Sequence, residues 1–149
     1  MIPVGPVTMA LSALLSSASG KPVGRGRRPA TFPPPYYLLH LVDVDTTGPP
    51  LEDLNEDISL VYQVTCVSGP DPNVQGSAGS DDQAQWLADK ARTALLGRNP
   101  ATGAWLHPLT VSGAKVMGRR PETEPGGTSD PADAIMSHVL RVRVDLTPA

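Results

Sequence analysis

Cys66 and the three histidines, His40, His107 and His138, have the most scope for nucleophilic or metal chemistry in this 149-residue chain. A cysteine nucleophile needs a nearby base and an electropositive setting that favours the thiolate. Neither stands close to Cys66 in the sequence, so it reads as a small buried hydrophobe. The histidines are scattered, and none has a second ligand at a spacing that holds a metal. The acidic run Glu52-Asp53-Leu54-Asn55-Glu56-Asp57 could hold a hard cation or supply an acid and base pair. It lacks the central glycine of a calcium loop and has no nucleophile beside it, so it reads as a solvated turn. Gly24-Arg25-Gly26 does not extend into a phosphate loop with its lysine, and GxSxG, HExxH and CxxC are all missing. Neither an enzyme, a cofactor nor a metal centre is expected.

Composition narrows the classes further. With 12 Lys+Arg against 15 Asp+Glu the net charge is −3, which argues against a dedicated nucleic-acid binder. One cysteine excludes an intrachain disulfide framework. No apolar run approaches the ~18–20 residues that span a bilayer, so no membrane partner is expected. The 17 prolines and 14 glycines sit badly inside helices and strands, so long loops or arms are implied. The length suits one domain over residues 1–149.

The elements that position these residues follow from periodicity. Residues 5–19 place Val7, Leu11, Leu14, Leu15 and Ala18 on one helical face, with Pro6 in the first turn and Gly20 after the last. A secretory signal is the rival reading of this segment, but no Lys or Arg precedes Lys21. Residues 21–35 form a basic Pro/Gly segment, either a solvated linker or an arm on a neighbouring subunit. Residues 36–44 and 59–68 read as strands; in the second, Leu60, Tyr62, Val64 and Cys66 share a face. Ser80 with Gln83 forms a capping-box pattern, Asp81 and Asp82 follow, and Gly97 ends the helix. Trp86 lies off that helix's apolar stripe, at the helix edge or facing another subunit. Residues 109–117 read as a strand in which Gly113 marks a bulge. Residues 118–136 read as a polar loop. In the last strand, residues 138–146, Arg141, Arg143 and Asp145 point away from the core. The predicted class is α+β: an antiparallel four-stranded sheet with two helices on one face, plus long Pro/Gly-rich loops or arms, around a core spanning residues 36–146.

This order of segments resembles the tail terminator proteins of long-tailed, siphovirus-type phages, especially those of actinobacteria. The likeness runs over residues 5–146. It is carried by the short helix entering Lys21-Pro-Val-Gly-Arg-Gly-Arg-Arg-Pro29, by Pro35-Tyr-Tyr-Leu-Leu-His40, and by Leu60-Val-Tyr-Gln-Val-Thr-Cys66. The helix from Asp82 to Leu96 and the strand Leu140-Arg-Val-Arg-Val-Asp145 complete it. The pair Tyr62-Gln63-Val64 and Gln85-Trp86-Leu87-Ala88 is the most telling.

The resemblance implies a hexameric ring at the head-proximal end of the tail tube, which stops tube polymerisation and offers a head-joining surface. It implies contact with the major tail tube protein, a neck or stopper protein and the tape measure protein. Genomic DNA passes the lumen without specific binding, and the protein resides in the virion after assembly in the host cytoplasm. Such a ring needs one patch to meet a different patch on the next copy. Charge is segregated accordingly: Lys21, Arg25, Arg27 and Arg28 carry +4, while Asp43, Asp45, Glu52, Asp53, Glu56 and Asp57 carry −6. The basic residues, together with Glu52, Asp53, Glu56, Asp57 and Trp86, are the candidate subunit interface. Arg141, Arg143 and Asp145 are candidates for the lumen or a subunit contact. Two unrelated solvated surfaces are the plainer reading of the same charges. A head-completion or stopper protein of the neck is the near alternative, and a small bacterial α+β enzyme or ligand-binding domain the distant one.

Overall fold

A computed structural model describes residues 2–26, 34–47, 57–70, 75, 79–130 and 135–149. Two helices and six strands follow in the order α1 (Val4–Ser19), β1 (Val23–Arg25), β2 (Tyr36–Thr47), β3 (Asp57–Ser68), α2 (Asp81–Leu96), β4 (Ala114–Pro121), β5 (Gly126–Asp130) and β6 (Ile135–Pro148).

Helix α1 buries Val7, Leu11, Leu15 and Ser19, a step of four that keeps one stripe inward. Pro6 falls in the first turn, where a missing N–H costs no intrahelical bond. Gly20 takes the left-handed conformation, φ 71°, and its N–H reaches the Ser16 carbonyl. Helix α2 starts on Ser80, whose hydroxyl accepts from the Gln83 N–H at 3.1 Å. The other half of the capping box runs through Ser68. Its hydroxyl donates to Gln83 Oε1 at 2.5 Å and accepts from the Ser80 N–H at 3.1 Å. Gly97 follows α2 at φ −63°, so no left-handed turn demands glycine there. A Cβ would instead collide with the Thr93 carbonyl oxygen and lie 2.9 Å from Leu106 Cδ1.

The sheet order is β1-β2-β3-β6-β4, with β5 also on β6. Leu60, Tyr62 and Val64 of β3 stand opposite Val144, Val142 and Leu140 of β6, and all six are buried. Both helices cover this face: α2 over β3 and β6, α1 beside it toward β1 and β2. Each such aliphatic side chain contributes about 1.5–3 kcal/mol by leaving water. The Tyr62 hydroxyl meets Thr8 Oγ1 at 2.7 Å and fixes α1 to the sheet centre.

The sheet corrects the expectation of four antiparallel strands; the α+β class stands. Val23–Arg25, within the basic segment, pairs in parallel with β2. Gly126–Asp130, within the expected polar loop, pairs antiparallel with β6. Neither segment has apolar alternation, since a strand at a sheet margin is held by backbone hydrogen bonds to its neighbour. The strand expected at residues 109–117 lies at Ala114–Pro121 instead. Gly113 belongs to the turn before it, at φ 79°. The register shift in β4 falls between Val116 and Gly118, leaving Met117 as the extra residue.

Candidate functional site

The face of the sheet turned away from the helices carries a polar network. Period-two alternation in β3 and β6 sets Gln63 opposite Arg141, Val61 opposite Arg143 and Ser59 opposite Asp145. Arg143 grips Glu122 with two bonds, Nε to Oε2 at 3.0 Å and NH2 to Oε1 at 3.1 Å, and also reaches Ser59 Oγ at 2.9 Å. The Ser59 hydroxyl donates to Asp145 Oδ1 at 2.6 Å, and Arg120 stands 3.9 Å from the same carboxylate. Arg141 Nε donates to Gln63 Oε1 at 3.2 Å. Hydrogen bonding from Arg143 holds the Glu122 carboxyl below its ordinary range, and Glu122 in turn raises Arg143. Arg141 and Arg143 are thus largely engaged within the chain, while Arg120 stays mostly exposed. The arrangement suits a fixed, patterned contact surface better than a phosphate clamp, which needs donors turned outward.

A second cluster lies on the helical side. His138 stands opposite Cys66 in the β3–β6 register. Its Nε2 meets Glu124 Oε1 at 2.7 Å, and the same carboxylate oxygen pairs with Arg92 of α2, which also pairs with Asp89. Cys, His and Glu in this order have the composition of a nucleophilic triad. Cys66 does not serve as one. It is fully buried, and desolvation pushes its thiol up to about 12, with Arg92 opposing and Glu124 adding a smaller rise. The thiol therefore stays protonated and packs as a core residue. Among the described residues no three His, Cys, Asp or Glu side chains form a metal-holding group.

A third cluster surrounds the tryptophans. Trp86 is exposed on α2, with Lys90 Nζ 4.6 Å and Lys21 Nζ 5.6 Å from its ring centroid. Trp105 lies between two guanidinium groups, Arg98 at 4.0 Å and Arg119 at 4.2 Å. Arg119 is buried; its NH1 donates to the Leu95 carbonyl at 2.9 Å and its NH2 to the His107 carbonyl at 2.7 Å. Burial, then the nearby Arg98 charge, lowers its pKa. A groove of about 410 Å³ runs between α1 and residues 107–110, and one of about 320 Å³ adjoins it beside Trp86. Ala18 and His107 line both.

The sequence-derived candidates divide as follows. Lys21 and Trp86 come together. Arg25 is exposed at the end of β1 and Asp57 exposed at the start of β3. Arg25 faces Leu39 and Asp57 faces Thr47, eight positions along β2, or about 26 Å. The two do not meet within one chain. Arg27, Arg28, Glu52, Asp53 and Glu56 lie outside the described residues. Arg141, Arg143 and Asp145 share the outward face with Gln63 and Ser59. Sequence reasoning missed Arg119, Glu122 and Glu124, because the stretch containing them has no periodicity and their partners lie on other elements.

A chain of the virion of a native gene transfer agent particle shares this fold, with a TM-score of 0.61 over 97% of this chain and 96% of that one, at 14% sequence identity. No family model matches the sequence, and no curated protein does.

Proposed function

We propose that this chain is a structural protein of a phage-like virion, and within it the tail terminator: a ring that caps the head-proximal end of the tail tube, stops its polymerisation and receives the head. The observation that carries this reading is the end-to-end fold likeness to a chain of a gene transfer agent virion, which leaves almost no part of either chain unmatched. The segment order from the α1 helix to the Leu140–Asp145 strand supports the finer assignment. The ring acts by shape and contact. Its candidate contacts are the basic residues Lys21, Arg25, Arg27 and Arg28 against the acidic Glu52, Asp53, Glu56 and Asp57 of the next copy, with Trp86 nearby. Arg25 lies beside Leu39 and Asp57 beside Thr47 of β2, so they belong to separate patches of the chain, the kind of surface a heterologous contact joins. Arg141, Arg143 and Asp145 line the lumen or a second subunit contact. The partners are the major tail tube protein, the neck or stopper protein and the tape measure protein; DNA passes without being gripped.

Electron microscopy of the purified protein and of particles bearing it tests the assignment. The expected result is a ring of six copies of the 15.6 kDa chain, placed between tail tube and neck. Density within the neck, head-side of the tube end, transfers the protein to the stopper class. Absence from particles refutes the virion reading.

A further inference from the structure

Two strand margins stand open at the same level of the sheet. β1 pairs with β2 only at residues 37–39, so among the described residues no strand lies against that side of β2 over residues 41–47. At the opposite margin β4 pairs with β6 alone among the described residues. The register connects the two margins in straight rows. Val44 faces Leu60, Leu60 faces Val144, and Val144 faces Arg119. In the adjacent row Asp43 faces Val61, Val61 faces Arg143, and Arg143 faces Arg120. Each row thus begins on one open margin and ends on the other.

Direction, charge and apolar exposure agree at these margins. β3 runs antiparallel to β2, β6 to β3 and β4 to β6, so β4 runs opposite to β2. A copy laid with its β2 against β4 of another continues the alternation as an antiparallel pair, the more stable kind per residue. The β2 margin presents exposed Asp43 and Asp45, and the β4 margin exposed Lys115 and Arg120. All four project from the face opposite the helices, as their register partners do. Val42 and Val44, each 45% exposed, and Met117, 63% exposed, add apolar surface at the same two margins. Both strands carry a register shift, at Leu41/Asp43 and at Val116/Gly118. Such bulges discourage indiscriminate edge pairing and admit only a partner with the matching interruption.

We propose that these margins join copies of this chain: residues 41–47 of one copy pair antiparallel with residues 114–120 of the next, bringing Asp43 and Asp45 against Arg120 and Lys115 of the neighbour. The contact is heterologous, so it generates a ring or a filament according to whether the rotation closes. Because both margins lie at one level, neighbours stand side by side across the strands with no offset along them, which favours closure. This inference rests on the ring reading above and names the strand margins, rather than the charged segments at residues 21–28 and 52–57, as the surface that builds the ring.

The test uses the full chain and its mass by light scattering over a concentration series. Reversing one margin (Asp43→Lys with Asp45→Lys) or the other (Lys115→Glu with Arg120→Glu) is expected to raise the half-assembly concentration by ~10-fold or more, since like charges then face each other. Combining all four substitutions is expected to restore assembly, a rescue that a folding defect cannot imitate. Circular dichroism verifies that each variant is folded. Those amides of residues 41–47 that point away from β3 are expected to exchange slowly in the assembled form and rapidly in the monomer. Assembly insensitive to both reversals overturns the proposal, as does a folded fourfold variant that stays dissociated. Equal protection of these outward amides in the monomer means the chain covers its own edge, and also overturns it. A wild-type protein that remains monomeric at every concentration refutes the edge pairing, while its presence in particles by microscopy keeps the virion reading intact.

Discussion

The Tyr37 hydroxyl donates to the backbone carbonyl of Leu87 at 2.6 Å, tying the buried start of β2 to the middle of α2. The ring is wholly buried, and desolvation first, then Cys66, raises the phenol well above its ordinary value. Tyr37 therefore remains a neutral donor at any working pH.

Removing that hydroxyl isolates one bond. Leu87 keeps its intrahelical acceptor role, so Tyr37→Phe leaves no orphaned donor and changes little volume. The expected loss is about 1 kcal/mol in urea unfolding, with an unchanged m-value. A neutral substitution would mean that the contact adds nothing net.

Arg119 is a more demanding case. Its guanidinium meets the last turn of α2 at the Leu95 carbonyl, where the helix dipole favours a cation, and bridges to His107. Arg119→Ala leaves two carbonyls without this donor and removes the stack on Trp105. A loss of roughly 3 kcal/mol, or about 10 °C in Tm, is expected. Arg119→Lys should recover only part of it, because an ammonium lacks the planar fork that spans both carbonyls. Full rescue by lysine would exclude the fork as the cause.

Glu124 gives the fold an acid dependence. Burial alone would raise its carboxyl, but hydrogen bonds from Arg92 and His138 outweigh that and hold it below 4.5. The folded value lies under the unfolded one, so this stabilisation is complete above 4.5 and is lost as pH falls through the lower folded value. Thermal melts taken downward from about pH 5 should show Glu124→Gln destabilised at the start and converging on wild type as pH falls through the lowered folded value. Parallel curves would assign the acid sensitivity to other carboxylates, Glu122 among them.

Cys66 should behave as an inert core residue. Its thiol, pushed up to about 12 by burial, is expected to resist a disulfide reagent in buffer and to react once urea unfolds the chain. Cys66→Ser should cost about 1–3 kcal/mol by burying a hydroxyl, and leave particle assembly intact. Rapid labelling of the folded protein would contradict the buried placement.

Helices α1 and α2 and the central pair β3 and β6 were legible from the sequence, because their information is local. Val7, Leu11 and Leu15 repeat on one helical face, Ser80 caps its own helix, and Leu60, Tyr62 and Val64 alternate as a half-buried strand must. The outward placement of Arg141, Arg143 and Asp145 followed from the same alternation. What these residues bind did not. Glu122, Gln63 and Ser59 reach them from other strands or from beyond β4, at separations no periodicity encodes. Tertiary structure alone decided β1 and β5. Val-Gly-Arg and Gly-Gly-Thr-Ser-Asp have no strand pattern of their own and become strands because β2 and β6 offer unpaired backbone groups. It also decided that Arg119 goes inward, since only the meeting of α2 with residues 105–107 supplies the carbonyls and ring that offset its desolvation. Gly97 belongs to both levels: sequence marks it as a helix stop, and the packing of Leu106 against the last turn explains why no larger residue fits.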